Sequence, residues 1–534
     1  MKPRTLSHLF FNLSVIVSFL GLGALRFDAV TYAQKPQKVS IEMDNHSFAR
    51  EEEAVVKHLE LELIVDFSNR RLSGVATLYF NNTTGTDKLY LDTRDLTIKN
   101  VYLDTARKEK ADFSLGESVP NLGQPLVVNI EPETKAVVIH YETDPKAAAL
   151  QWLEPEQTAG KKKPFLFTQS QAILARTWVP CQDNPGVRMT YRAKIKTPPG
   201  MLAVMSAEND TTRNPKGLYE FYMPQPIPSY LLALAVGDIE FRQISERCGV
   251  FAEPAVVDKA AWEFADTEKM IVAAEELYGP YRWGRYDIIV LPPSFPFGGM
   301  ENPRLTFVTP TVLAGDRSLV ALVAHELAHS WSGNLVTNAT WNEIWLNEGF
   351  TVYFERRIIE ALYGKEYATM RAALDYQDLL KEIKDVGAAS PDTKLYLDLK
   401  GRDPDDAVTH IPYEKGYFFL RTIEQAVGRN TWDMFLRGYF EKYAFQSMTT
   451  EGFLNYLEDQ LIMGDTTLSG KLQIEEWVYT PGLPTNFEGV YSNAPAKVDT
   501  ELQRWEGGTS PIELQTSRWN THHGCISCAT SHST

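Results

Sequence analysis

Cysteine is scarce in this chain, four among 534 residues, which excludes a fold held by a disulfide framework. Cys181 and Cys248 stand alone in the body of the chain and leave at most one bridge open, between themselves. Cys525 and Cys528 form a CxxC close to His522, His523 and His532 in a polar terminal stretch, a pattern too isolated to define a metal or redox centre. Excess positive charge is also lacking. Lys and Arg number 53 against 69 Asp and Glu, a formal net charge of −16, so there is no basic surface for a phosphate backbone or an anionic membrane, and no nucleic-acid partner is expected. Long apolar runs are missing with one exception, Leu9 to Leu25, preceded by Lys2 and Arg4 and followed by Thr31-Tyr32-Ala33. This is the pattern of a cleaved secretory signal over residues 1–33, and it predicts a secreted or periplasmic protein; membrane attachment is expected only if the segment stays uncleaved.

What is present is a large apolar fraction, 44%, in a chain longer than one core usually supports, so two or more domains are expected. From Val56 to Leu103 apolar and polar residues alternate, as in His58-Leu59-Glu60-Leu61-Glu62-Leu63, and turn signals punctuate short strands as far as Ile239. An antiparallel β domain over residues 34–239 follows. Beyond it the period becomes helical from Ala255 to Tyr278, a buried strand runs from Asp287 to Leu291, and helical segments recur to Tyr479. Residues 240–480 are expected to form an α+β domain. Thr480-Pro481-Gly482-Leu483-Pro484 reads as a linker, and residues 481–534 as a polar, disordered tail.

Chemistry concentrates at His325-Glu326-Leu327-Ala328-His329. On a helix, residues four apart share a face with Cβ atoms roughly 5–6 Å apart, so two imidazoles reach one ion. The stretch from Arg317 to Trp331 reads as that helix, with Ser318 or Asp316 as its cap. Glu348, in Trp345-Leu346-Asn347-Glu348-Gly349-Phe350, opens a second amphipathic helix and supplies a third ligand. Two imidazoles and one carboxylate with a fourth position left for water is the donor set of one catalytic zinc ion. Glu326, beside the metal, is placed to act as general base.

Gly298-Gly299-Met300-Glu301-Asn302, the His325–His329 motif, Glu348 and Pro412-Tyr413-Glu414-Lys415-Gly416 together resemble the zinc aminopeptidases that include aminopeptidase N. The wording of Pro292 to Asn302 and of Gly333 to Asn338 is most similar to the leukotriene A(4) hydrolase/aminopeptidase branch. The resemblance runs from about Glu42 to Pro484. It implies a saddle-like β domain, a thermolysin-like catalytic domain, and a helical third domain that this chain carries only in truncated form or lacks. It implies too that Tyr413 hydrogen-bonds the oxyanion, and that Glu301 holds the free α-ammonium of a peptide by a charge-assisted hydrogen bond. Gln169, Ser170, Gln171, Pro296, Phe297, Gly298, Gly299, Met300 and Asp405 are the remaining substrate-contact positions it suggests. In the epoxide-opening branch a tyrosine stands five residues before the oxyanion tyrosine; Val408 occupies that position here, so epoxide hydrolysis is not expected.

The expected partners are peptides with a free N-terminus; oligomeric state is left open. Two rivals stand beside the aminopeptidase reading. A thermolysin-type endopeptidase shares the ligands but has no need of the Gly298–Asn302 motif. A non-catalytic or inactive peptide-binding protein would keep the ligands and lose turnover with the missing third domain.

Overall fold

Alternation along Ala54–Asp66 builds a long strand that turns Val56, Leu59, Leu61, Leu63 and Val65 into the core. The pattern slips one step between Val56 and His58, where the pairing with the next strand carries a bulge. The bulge takes up the extra residue and keeps apolar side chains on one face. The structure is a computed structural model and describes residues 44–517 together with 519, 521 and 522. The expected signal segment and the Cys525/Cys528 pair lie outside the described residues.

This strand is central in a six-stranded sheet of order Leu218–Ile227, Met189–Lys196, Ala54–Asp66, Arg71–Asn82, Ala136–Glu142, Thr97–Tyr102. Its neighbours pair antiparallel, as expected, except that Ala54–Asp66 and Met189–Lys196 run parallel. The more than one hundred residues between them are ample for the crossover that parallel pairing requires. A four-stranded and a three-stranded antiparallel sheet complete the region.

The second region opens with a mixed five-stranded sheet, order Glu240–Gln243, Cys248–Ala252, Tyr286–Val290, Leu305–Val308, Gly299–Met300. Its last strand is antiparallel and, among the described residues, has an unpaired outer edge. Helices then predominate: the short Ala321–Ala328 is followed by the longer Trp345–Tyr363, Lys365–Val386, Gly416–Val427 and Arg429–Lys442. The helical stretch expected over Ala255 to Tyr278 is two helices, Val257–Glu263 and Thr267–Tyr278. One continuous apolar core links both regions from Ala54 to Val490.

Two expectations are corrected here. Cys181 and Cys248 are both free and buried, each in the core of a different sheet region, so the single bridge left open does not form. Nor are the described residues from 481 onward a loose tail. Gly482 N donates to Thr393 Oγ1 at 2.8 Å and Lys415 Nζ to Thr480 O at 3.0 Å, which fastens the expected linker. Ala494–Glu506 is a helix whose Ala494 and Val498 pack on Met370, with Leu502 alongside. Its low apolar content hid it, because only one narrow stripe at helical spacing is needed against a neighbour that supplies the rest of the interface. Val498→Asp, burying a carboxylate against Met370, should release this helix; limited proteolysis should then cut near residue 490, with about 1–3 kcal/mol of stability lost and the melting temperature lowered.

Candidate active site

The histidine motif lies on a short helix, Ala321–Ala328, with His329 as its cap. It begins later than the expected Arg317, because Asp316 Oδ1 accepts from both Ser318 N and Ser318 Oγ and holds a turn there. His325 Nε2 and His329 Nε2 converge to 3.2 Å. Glu348 Oε2, from the helix Trp345–Tyr363, lies 3.4 Å from the first and 3.6 Å from the second. The outward-facing nitrogens are engaged elsewhere. His325 Nδ1 is 3.2 Å from Glu355 Oε2, and His329 Nδ1 is 3.2 Å from Ser332 O and 3.1 Å from Thr351 Oγ1. A carboxylate and a carbonyl accept hydrogen bonds and donate none, so this network assigns the proton to Nδ1 in both rings and points both Nε2 lone pairs inward.

Two lone pairs and a buried carboxylate oxygen without a hydrogen-bond donor therefore face one another, an arrangement that repels itself unless a cation sits among them. The titration tendencies express the same demand. Burial opposes charge on His325, yet the neighbouring carboxylates of Glu348 and Glu355 raise its pKa well above the imidazole range. Glu326 is pushed well above the carboxylate range, first by burial and then by Glu301, Glu348 and Glu355, against the pull of His325. A metal ion fits this donor set. His325, His329 and Glu348 form one group whose ligand atoms lie within 4.8 Å of one another, and Glu301, Glu326 and His329 form another. The first is favoured, because it pairs two imidazole nitrogens with one carboxylate and leaves Glu326 and Glu301 free to face a substrate.

Glycines set how closely these elements approach. A Cβ on Gly349 would come 2.8 Å from Gly416 Cα and 3.0 Å from Pro412 O, so the Glu348 helix can touch the segment that carries Tyr413. That segment, Ile411–Lys415, is a single wide π-turn ahead of the helix Gly416–Val427, a form that recurs at functional sites. It places the Tyr413 ring nearly parallel to His325, at 11° and 6.1 Å between centroids. Burial and then Glu348 push the Tyr413 phenol well above its usual pKa, so it stays a donor. At Gly299 a Cβ would sit 2.2 Å from Glu326 Oε1; any side chain there would displace the glutamate.

A cavity of about 700 Å³ joins these groups. Of the expected contact positions it is lined by Gln169, Gln171, Phe297, Gly298, Gly299, Glu301 and Asp405, with Val408 beside them. Glu301 is buried and its Oε1 has no donor, which leaves an acceptor aimed at an incoming cationic group. Asp405 Oδ1 accepts from Ala172 N at 3.2 Å, tying the Gln171 segment to the rim. Three expected positions do not line the cavity. Ser170 donates to Leu232 O at 2.8 Å and accepts from Trp178 Nε1 at 3.1 Å, as the alternation of an extended segment requires when Gln169 and Gln171 face the other way. Met300 is buried beneath Gln169, with Gln169 Nε2 3.2 Å from its sulfur. Pro296 is exposed outside the lining.

Sequence reasoning missed Glu355, Thr351 and Ser332, which orient the histidines. The first was detectable in principle, since it lies seven residues after Glu348 and hence two turns along one face. It also missed a fastening from the β region. Arg188 Nη2 donates to Asn334 O at 2.6 Å, and Asn334 Nδ2 donates to Glu301 O at 2.7 Å. Glu301 is thereby held by a chain that begins in the other half of the fold.

Fold and site together define a metallopeptidase-like catalytic region joined to a β-rich N-terminal region. The Peptidase family M1 domain matches residues 262–476 and the Peptidase M1 N-terminal domain matches residues 55–231. A leukotriene A-4 hydrolase of Xenopus laevis is 43% identical over 457 residues, 83% of this chain and 74% of its own. A leucine aminopeptidase 2 of Yarrowia lipolytica is 42% identical over 465 residues, 84% of this chain and 70% of its own. The solved structure of yeast LTA4 hydrolase in complex with Bestatin superposes with a TM-score of 0.85 at 36% identity, covering 92% of this chain and 80% of that one. An M1 zinc metallopeptidase from Deinococcus radiodurans shares the fold, with a TM-score of 0.65 at 22% identity over 84% of this chain. This chain belongs to peptidase family M1, close to the leukotriene A-4 hydrolase and leucine aminopeptidase homologues.

Glu355→Gln keeps the size of the side chain but weakens its hold on His325 Nδ1. Metal affinity should fall about 10- to 100-fold, measured by competition with a chromogenic chelator, with little change in the melting temperature of the metal-free protein.

Proposed function

We propose that this chain is a zinc-dependent aminopeptidase that releases the first residue of short peptides. The observation that carries this reading is the buried, donor-free Glu301 Oε1 in the same cavity as the His325–His329–Glu348 group. A carboxylate in that position pairs with a free α-ammonium, which a peptide has only at its first residue. An endopeptidase gains nothing from it.

Held by His325, His329 and Glu348, zinc supplies a Lewis acid for the scissile carbonyl and lowers the pKa of bound water to near 7. Glu326 takes a proton from the attacking water and passes it to the departing amine. Its raised proton affinity suits a group that first takes and then returns a proton. Tyr413 donates its phenolic hydrogen to the oxygen on which negative charge develops. The outer edge of Gly299–Met300 offers backbone groups to an extended substrate, and the absence of a side chain at Gly299 lets that substrate lie against Glu326. Glu301 fixes the register, so cleavage falls after one residue.

Val408 extends the reading. It lies in the cavity lining, partly exposed, where the resemblance to the epoxide-opening branch calls for a tyrosine. An isopropyl group neither donates a hydrogen bond nor carries a proton, so the proposed activity is peptidase without substantial formation of a dihydroxy fatty acid. We also propose an exported protein, whose mature form begins after the segment ending at Ala33; mass spectrometry of the purified protein would refute this if Met1 were retained.

Hydrolysis of leucyl peptides by the zinc-loaded protein should be lost on N-acetylation of the substrate and reduced by about 10²–10⁴-fold in kcat by Glu326→Gln. Cleavage of the acetylated peptide at an internal bond would overturn the aminopeptidase reading. Incubation with the fatty epoxide should leave it to non-enzymatic hydrolysis, as read by product chromatography, whereas rapid enzymatic conversion would show that Val408 does not block that chemistry.

A further inference from the structure

The helix Trp345–Tyr363 does more than supply a metal ligand. Glu348 stands near its start, Glu355 holds His325 Nδ1 at 3.2 Å, and the next residue, Arg356, turns to the segment that carries Tyr413. Arg356 Nη2 donates to Glu414 Oε1 at 2.8 Å and Oε2 at 2.7 Å, and to Asp375 Oδ2 at 3.1 Å. Its guanidinium also lies over the Tyr417 ring, 3.8 Å from the centroid, a cation–π contact. Arg356 therefore grips the chain just after Tyr413 at two points, Glu414 inside the wide turn and Tyr417 in the helix that follows. Its Nε and Nη1 are buried without an acceptor, so its hydrogen bonds all leave from Nη2 toward this corner.

Each member of the pair depends on the other. Arg356 and Glu414 are both 5% exposed, and burial pushes the Glu414 carboxyl up to about 7 against the pull of Arg356. Without the arginine that acid would take up a proton and lose its hold. The turn has a separate fastening through Lys415, whose Nζ donates to Thr393 O at 2.8 Å and Thr480 O at 3.0 Å. Those acceptors belong to neighbouring loop segments. Arg356 instead ties the turn to the helix that bears Glu348 and Glu355, so one rigid element sets both the metal ligands and the position of the phenol. That relation matters to the chemistry, because a misplacement of about 1 Å costs on the order of 10²-fold.

We propose that Arg356 is a positioning residue for the reaction: through Glu414 it holds the Tyr413 turn in register with the metal ligands, so that the phenol meets the developing oxyanion. The inference rests on the aminopeptidase reading above. It gives Arg356 no contact with the substrate.

For the zinc-loaded full chain hydrolysing Leu-Gln-Ala, Arg356→Gln should lower kcat about 10- to 100-fold with KM nearly unchanged, and Arg356→Lys should recover part of the loss. Should the single variant fail to fold with Glu414 deprived of its cation, the charge-balanced pair Arg356→Gln/Glu414→Gln takes its place and should also lose kcat. The decisive readout is the cycle with Tyr413→Phe, which by itself should cost about 10²–10³-fold. In that background the Arg356→Gln factor should shrink to about one, since a misplaced phenol and an absent one are equivalent. The proposal is overturned if the factor is the same in both backgrounds, as for a residue that only stabilises the fold, or if Arg356→Gln leaves kcat unchanged. It is overturned too if zinc affinity, read by chelator competition, falls by the same factor as kcat, which would place the effect at Glu355 and His325. Calorimetric affinity for a phosphinic analogue of the same peptide, whose phosphorus oxygens stand where the oxyanion forms, reads the same cycle without turnover. Absence of hydrolysis would therefore count against the aminopeptidase reading while the affinities still decide the role of Arg356.

Discussion

Buried negative charge is the constraint on which the catalytic region depends. Glu301, Glu326, Glu348 and Glu355 are each at most 7% exposed and surround two imidazoles, in an interior where an unbalanced carboxylate is costly. The protein answers with hydrogen bonds where it can. Glu355 takes His325, and neighbouring Arg356 is held by both oxygens of Glu414 at 2.7–2.8 Å. At the centre it supplies converging lone pairs instead, from His325, His329 and Glu348, and these gain only from a cation. A cation held there would balance the negative charge gathered around the two histidines.

Geometry follows from small residues and from reach across the fold. Gly349 and Gly416 bring the backbone that carries Glu348 against the segment that carries Tyr413, and Gly299 gives Glu326 its space. From the β region, Arg188 secures the loop that holds Glu301, using only carbonyl and hydroxyl acceptors. Burial lowers its pKa to about 10, still charged at neutral pH. The cavity is therefore built by both halves of the chain, with Gln169 and Gln171 from one and the histidines and glutamates from the other.

The parts of the site that could be read in the sequence are those set by local periodicity. His325, Glu326 and His329 are one helical turn, and Glu348 opens the next strongly periodic segment; both are close in sequence to what they serve. Gln169 and Gln171 follow from the resemblance and line the cavity, while Ser170 between them turns the other way to Leu232, as period-two alternation requires. Tertiary contact decides the rest. Arg371 carries no local signal at all, since its place in the cavity lining comes from segments far apart in the chain. The helix Ala494–Glu506 escaped notice because the surface that completes its core belongs to Met370. For the fold, alternating strands and the change to helical period were legible. The parallel pairing of Ala54–Asp66 with Met189–Lys196 was not, because sheet order is fixed by long-range pairing that no window of sequence records.

The most direct test of this account is a crystal structure of the zinc-loaded protein with anomalous differences measured at the zinc edge. The account predicts one peak per chain, about 2.0–2.2 Å from Nε2 of His325, Nε2 of His329 and a carboxylate oxygen of Glu348, with Glu301 and Glu326 unligated. A peak bound by Glu301, Glu326 and His329 instead, or zinc held only at the surface, would contradict it.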